Sequence, residues 1–318
     1  MSSDSPEKGS FAIMALESGI EYASLEEAPD EPLLVEIVGI RPKDLARISH
    51  HFEIDLEDLR DVLDLDERPR LQIEDKFTMI VMRVPVNLMQ EDREYSTNPI
   101  GIFTNGRDII VIQNDVVPLR KKRLRQRVRL STTAAEVIYR WLEIVIHSFE
   151  TTLDLIEATI NATEDRIMTE IYPSQLERFF QLSRDAIFME TSLKANMKVL
   201  RRLKRVHVLG RMILDADRLE ELEVDLQQQL ELSAIYRELI RNAMDAYDSI
   251  VSHNLNKVMK TLTSISLLVS VPTLIASVYG MNVDLPLGND PAAFIVLILV
   301  SLCITVPLLM VLRAKGLV

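Results

Sequence analysis

The chain has 318 residues, 47% of them hydrophobic, with a formal net charge of −12 and a single cysteine. That length accommodates two domains, the apolar share suits a globular body with a small membrane part, and the lone Cys303 excludes an intrachain disulfide, in keeping with a reducing cytoplasm. The segment from Thr261 onward holds two acidic and two basic residues, so the whole acidic excess lies in residues 1–260, where it attracts cations and is also ordinary for a soluble domain.

In chain order, residues 1–31 are polar, rich in Ser, Asp and Glu, and are expected to form a disordered leader without a signal peptide. Residues 32–130 read as a cytoplasmic α/β domain. Apolar runs at Leu34–Ile40, Leu71–Val86, Ile100–Phe103 and Ile109–Gln113 predict strands, the last two joined across the turn Thr104-Asn105-Gly106-Arg107. Between them, Ile48, Phe52, Leu56, Leu59 and Leu63 recur at helical spacing. From Ser131 the strand signals stop, and residues 131–211 read as a helical hairpin broken at Tyr172-Pro173-Ser174, its second arm ending at Gly210.

Residues 212–260 read as a stalk helix that runs on into the first of two membrane spans, at 261–282. From Met212 on, no Gly occurs before Gly280 and no Pro before Pro272, so one helix of about 65 to 70 residues is expected, near 100 Å long at 1.5 Å per residue. Ile240, Met244, Tyr247, Val251, Leu255, Val258 and Leu262 form a seam at three- and four-residue steps, which calls for neighbouring helices and hence a homo-oligomer. Thr261–Val283 and Pro291–Leu312 are free of charge over about 23 and about 22 residues, each enough to cross a bilayer. They give a second span at 291–312, an outer loop at 283–290 and a tail at 313–318. Lys257 and Lys260 precede the first span, Arg313 and Lys315 follow the second, and the loop between has no Lys or Arg, so both termini are expected in the cytoplasm.

Within the first span Thr263, Ser266, Ser270, Thr273 and Ser277 fall on one face, extended toward the cytoplasm by Asn256 and Met259. By itself such a stripe has two readings: hydroxyls bonded to their own backbone or packed on a neighbour, or the wall of a pore. Pro272 frees the Leu268 carbonyl, and Gly280 and Asn282 offer close backbone approach and a neutral amide oxygen at the outer end.

Asn256-Lys257-Val258-Met259-Lys260, Leu262-Thr263, the mid-span Pro272 and Tyr279-Gly280-Met281-Asn282 together resemble the CorA family of magnesium channels. The likeness extends to Leu59-Arg60-Asp61-Val62-Leu63, Arg68-Pro69-Arg70 and Phe77–Val81. It implies an α+β fold: an αβα cytoplasmic domain with a helical hairpin, a stalk helix continuing into a pore-lining span, an outer span, and a homopentameric funnel in the cell inner membrane. It further implies Gly280, Met281 and Asn282 as the selectivity filter, and Asn256, Met259 and Leu262 as the cytoplasmic constriction. Mg²⁺ is implied as the transported ion and, at Asp61 and Asp245 between neighbouring subunits, as the regulator. The tail Arg313-Ala314-Lys315-Gly316 is sparser in basic residues than is usual in the family, and the outer loop differs from the family's common sequence.

The basic runs Arg120–Arg129 and Arg201–Arg211 lack interleaved aromatics and are read as neutralising acidic helices, with no nucleic acid as partner. No zinc-type His/Cys spacing, phosphate loop, nucleophile motif or paired catalytic carboxylate stands out, so no enzyme is expected. The alternatives are a zinc or other divalent transporter of the same superfamily, a membrane-tethered coiled-coil scaffold, and a hairpin-anchored enzyme. Met281, where zinc-handling relatives tend to carry Ile, favours Mg²⁺, with Co²⁺ or Ni²⁺ as further cargo.

Overall fold

The structure, a computed structural model, describes residues 10–39, 42–89, 94–114, 133–169, 173–209, 212–283, 286 and 292–317. It divides into two compact units, Met1–Ala243 and Met244–Val318.

The first unit is built on a seven-stranded sheet of β1 (Ser10–Ala15), β2 (Glu21–Tyr22), β3 (Leu33–Val38), β4 (Arg70–Ile73), β5 (Thr78–Met89), β6 (Glu94–Thr104) and β7 (Ile109–Gln113). Their spatial order is β2-β1-β3-β7-β6-β5-β4, and only β3 and β7 pair in parallel. The expected turn joins β6 to β7, where Asn105 Oδ1 accepts the backbone N–H groups of Arg107 and Asp108 at 2.9 and 2.7 Å.

Alternation along β5 explains the layers. Met79 and Val81 enter a core with α1 (Pro42–Phe52) and α2 (Leu56–Asp61), which contribute Leu45, Ile48, Phe52 and Leu59. Ile80, Met82 and Val84, equally buried, point the other way. There α3 (Ala134–Thr169) and α4 (Pro173–Val206) pack on β5 and β6, completing an αβα arrangement.

The seam of α4 runs Phe179, Leu182, Ala186, Met189, Leu193, Asn196, Leu200 and Leu203, at alternating steps of three and four. Asn196 is the polar member, and its partner explains it. β4 pairs with β5 only over Thr78–Val81, so the edge of β5 is bare at Arg83. The Asn196 amide supplies the missing ladder, accepting the Arg83 N–H at 2.9 Å and donating to the Arg83 carbonyl at 2.8 Å.

A two-stranded antiparallel sheet of β8 (Val208–Leu209) and β9 (Met212–Ile213) follows, and then α5 (Ala216–Tyr279) and α6 (Ala293–Ala314). Up to Ala243, α5 buries Leu219, Leu222, Leu226, Gln229, Ser233, Tyr236 and Ile240. Arg218 pairs with Glu136, Arg237 with Glu190 at 3.0 Å, and the Tyr236 hydroxyl donates to Glu157 at 2.9 Å, so α5 is bound to both α3 and α4.

Three expectations need correction. The leader is structured from Ser10: its apolar run Phe11–Leu16 supplies β1, and Ile13 and Ala15 are fully buried in the sheet core, a signal hidden by the polar average of the segment. Strand structure does not stop at Ser131, because β8 and β9 pair before α5 begins. The second hairpin arm ends at Val206 rather than Gly210, and α5 starts at Ala216, after Asp215 accepts the Asp217 N–H at 2.9 Å in the manner of an N-cap. The basic run Arg120–Arg129, Gly210 and most of the outer loop lie outside the described residues.

Candidate ion pathway and regulatory carboxylates

In the second unit, α5 and α6 are both long and apolar enough to cross a membrane. The seam expected along α5 stays covered as far as Tyr247, 6% exposed, and is open from Leu255 on, with Leu255 61% and Leu262 56% exposed. Asn256, Met259, Thr263, Ser266, Ser270, Thr273 and Ser277 are exposed as well, and their spacing confines them to roughly a 100° arc of an α-helix. Ser266, Ser270, Thr273 and Ser277 line one open groove with Ile265, Val269, Val271 and Leu274.

Within the span, burial on α5 falls elsewhere. Ser264, Leu268, Val271, Pro272, Ile275 and Tyr279 are the residues that lose exposure, and Ser264 is bonded to Leu317 beyond α6. The covered side of the span is therefore turned away from the hydroxylic stripe. Ser270 and Thr273 donate to the carbonyls of Leu267 and Val269 at 2.9 and 2.8 Å, as the backbone-bonded reading of the stripe expects, while both side chains remain exposed.

The helix passes through Pro272 and ends at Tyr279. Gly280 closes it by donating to Ala276 and Ser277 carbonyls at 2.9 and 3.2 Å, and a Cβ there would stand 3.3 Å from the Ala276 oxygen. Met281 and Asn282 follow, exposed, at the end of the stripe, and the Tyr279 hydroxyl donates to the Pro286 carbonyl at 3.4 Å.

Asp61 closes α2, and its neighbour Val62 fixes that end to the sheet. Val62 sits on Gly101 of β6, where any Cβ would come within 2.5 Å of Val62 Cγ2, so only glycine permits this approach. The Asp61 carboxylate accepts from Arg70 Nη2 at 2.8 Å, and Arg70 also grips Glu67. Burial pushes the nearby Asp58 carboxyl up from its ordinary value, against the bond donated by Gln72, and the Asp55 charge adds to the rise. Asp245 is exposed on α5. Among the described residues of a single chain, no three His, Cys, Asp or Glu side chains gather as a metal site.

Spacing did not single out Gly101, Arg70 as the partner of Asp61, or Ser264. The last had a signal: it is a hydroxyl out of phase with the stripe beside it.

An α+β body, a helix carrying an exposed hydroxylic face, and a second apolar helix after it define a two-span membrane protein. Residues 37–313 match the family described as CorA-like Mg2+ transporter protein, and the chain belongs to that family, whose members are transporters rather than enzymes. It is 28% identical over 313 residues to the cobalt/magnesium transport protein CorA of Methanocaldococcus jannaschii, covering 95% of this chain and 98% of that one. To the protein of the same name from Thermotoga maritima it is 22% identical over 268 residues, 80% of this chain and 74% of that one. The complete structure of the CorA magnesium transporter from M. jannaschii has the same fold, with a TM-score of 0.84 at 24% identity, covering 97% and 98% of the two chains.

Proposed function

We propose that this chain is one subunit of a homopentameric channel that admits Mg²⁺, and Co²⁺ as a second cargo, through the cell membrane with both termini cytoplasmic. The observation that carries the reading is the division of α5 into a face that loses exposure and a hydroxylic face that does not, ending at Gly280-Met281-Asn282. Five copies of that face around an axis make a pore wall of hydroxyls and a filter of neutral amide oxygens. Mg²⁺ gives up its water reluctantly, so amides touching its hydration shell select it without the cost of dehydration, whereas a ring of carboxylates holds it too firmly to release. A divalent ion moving inward across about 100 mV gains about 4.6 kcal/mol, enough to drive uptake without ATP.

Asn256, Met259 and Leu262 form the cytoplasmic constriction in this reading, and Asp61 of one subunit with Asp245 of the next responds to cytoplasmic Mg²⁺. Their oxygen donors suit that ion. Two carboxylates leave most of an octahedral shell to water, and Arg70 already occupies one side of Asp61, so the affinity is expected to be modest. The test is Mg²⁺ flux into indicator-loaded liposomes, with the oligomer weighed in detergent. Five subunits and flux suppressed by Mg²⁺ on the cytoplasmic face are expected, and Asp61→Ala with Asp245→Ala raises the Mg²⁺ needed for closure. A transporting dimer removes the axial pore, and an unchanged midpoint in the double variant removes these carboxylates from regulation.

A further inference from the structure

Ser264 does not behave like the other hydroxyls of its span. Thr261, Ser270 and Thr273 donate to carbonyls three or four residues earlier on their own helix. Ser264 is only 3% exposed between the exposed Thr263 and Ile265, and it donates to the Leu317 carbonyl at 3.1 Å, across 53 residues of chain.

The acceptor is held by a defined turn. Gly316 takes φ +65°, its N–H donates to the Arg313 carbonyl at 3.0 Å, and the Leu317 N–H donates to the Leu312 carbonyl at 3.0 Å. This pair of bonds is the Schellman C-cap, which needs a left-handed residue at the position Gly316 holds. Nothing lies within 4 Å of a Cβ built on Gly316, so backbone conformation and not space calls for glycine. The motif also wants an apolar contact at the residue four before the glycine. That residue is Leu312, the buried side chain of α6. The tail sequence Leu312-Arg-Ala-Lys-Gly-Leu317 thus caps α6 and aims one carbonyl at α5.

We infer that this turn is a latch that fixes the rotation of α5 about its own axis at the cytoplasmic end of the ion pathway, with Ser264 as the positioning residue it holds. An α-helix is stiff over a turn, and each residue sits 100° from the next, so pinning Ser264 on one side fixes where Leu262, Thr263 and Ser266 point on the other. The inference rests on the reading of α5 as the pore-lining span. Ser264 touches no ion in it; it acts by orienting the residues that do.

The test uses the full chain in liposomes, with Cys303→Ser as background and single cysteines placed in turn at 262, 263, 266, 268 and 275. Each is labelled with a small water-soluble thiol reagent. With the latch intact, labelling is fast at 262, 263 and 266 and slow at 268 and 275. Ser264→Ala and Gly316→Val each reduce that contrast by roughly fivefold, the population shift worth one net hydrogen bond, and both raise Mg²⁺ flux measured with cytoplasmic Mg²⁺ present. Ser264→Thr, which keeps the hydroxyl, restores the contrast and the suppressed flux. A face-restricted profile that survives both disrupting variants, in oligomers of normal size, overturns the latch alone. Labelling at 262, 263 and 266 no faster than at 268 and 275 in the intact latch overturns the pore-lining reading, and the latch's role falls with it.

Discussion

Between Leu219 and Ala243, α5 buries a residue at every third or fourth position, leaving Tyr236 at 6% exposure, whereas around Leu255 and Leu262 the same spacing leaves more than half of each side chain open. One continuous helix therefore carries one pattern with two outcomes. In the first stretch the chain supplies the cover itself, through α3 and α4, with ion pairs such as Arg237–Glu190 at the margins. In the second, only one side of the helix loses exposure, next to the turn that follows α6, and the rest stays open. Periodicity announces that a face will be covered; it does not say by what.

The sharpest way to test this contrast is a change that ends function in the open region without touching the fold. Asn282→Ala removes the neutral amide at the end of the stripe and is expected to abolish Mg²⁺ flux while leaving circular dichroism and oligomer size unchanged. Flux at the level of the unaltered protein shows that the selecting groups lie elsewhere.

The covered region should respond in the opposite way. Phe149 is fully buried on α3, so Phe149→Ala is expected to cost about 3–5 kcal/mol of unfolding free energy in urea titration. Leu262→Ala, a comparable loss of volume at an open position, is expected to change stability by less than about 0.5 kcal/mol in the detergent-solubilised chain. Equal losses at the two sites break the comparison.

A smaller effect is expected where the body uses a polar group as glue. Asn196→Ala strands both backbone groups of Arg83 at the bare edge of β5 and is expected to cost about 1–3 kcal/mol. Hydrogen exchange should speed at the Arg83 amide before the rest of the strand. Global exchange with no local precedence counts against the edge role.

The smallest effect is electrostatic. The bond from Arg218, opposed by burial, holds the Glu136 carboxyl below its ordinary value of 4.5. Because the folded value is depressed, the associated stability is fully present above the unfolded value and is lost as pH falls through the folded one. Glu136→Gln is expected to flatten the acid limb of the stability profile below about pH 4.5, with a change under about 1 kcal/mol at neutral pH. An acid limb unchanged by the substitution assigns that slope to other carboxylates.

Much of this protein was set by neighbours in sequence. Charge-free runs at Thr261–Val283 and Pro291–Leu312, the three-and-four steps along α5, and alternation in β5 concern consecutive residues, and helix and strand periods convert them directly into faces. β1 escaped because six residues are too few to stand out from a polar segment; they become a strand only by pairing with β3. Other decisions needed residues distant in sequence to meet. Arg70 rests on Asp61 because β4 returns beside α2, and Val62 approaches β6 because Gly101 leaves room. The Ser264 hydroxyl finds Leu317 because α6 runs back along α5. No local pattern encodes such pairs, since each depends on closing a loop of chain whose entropy cost is met by the packing of everything else.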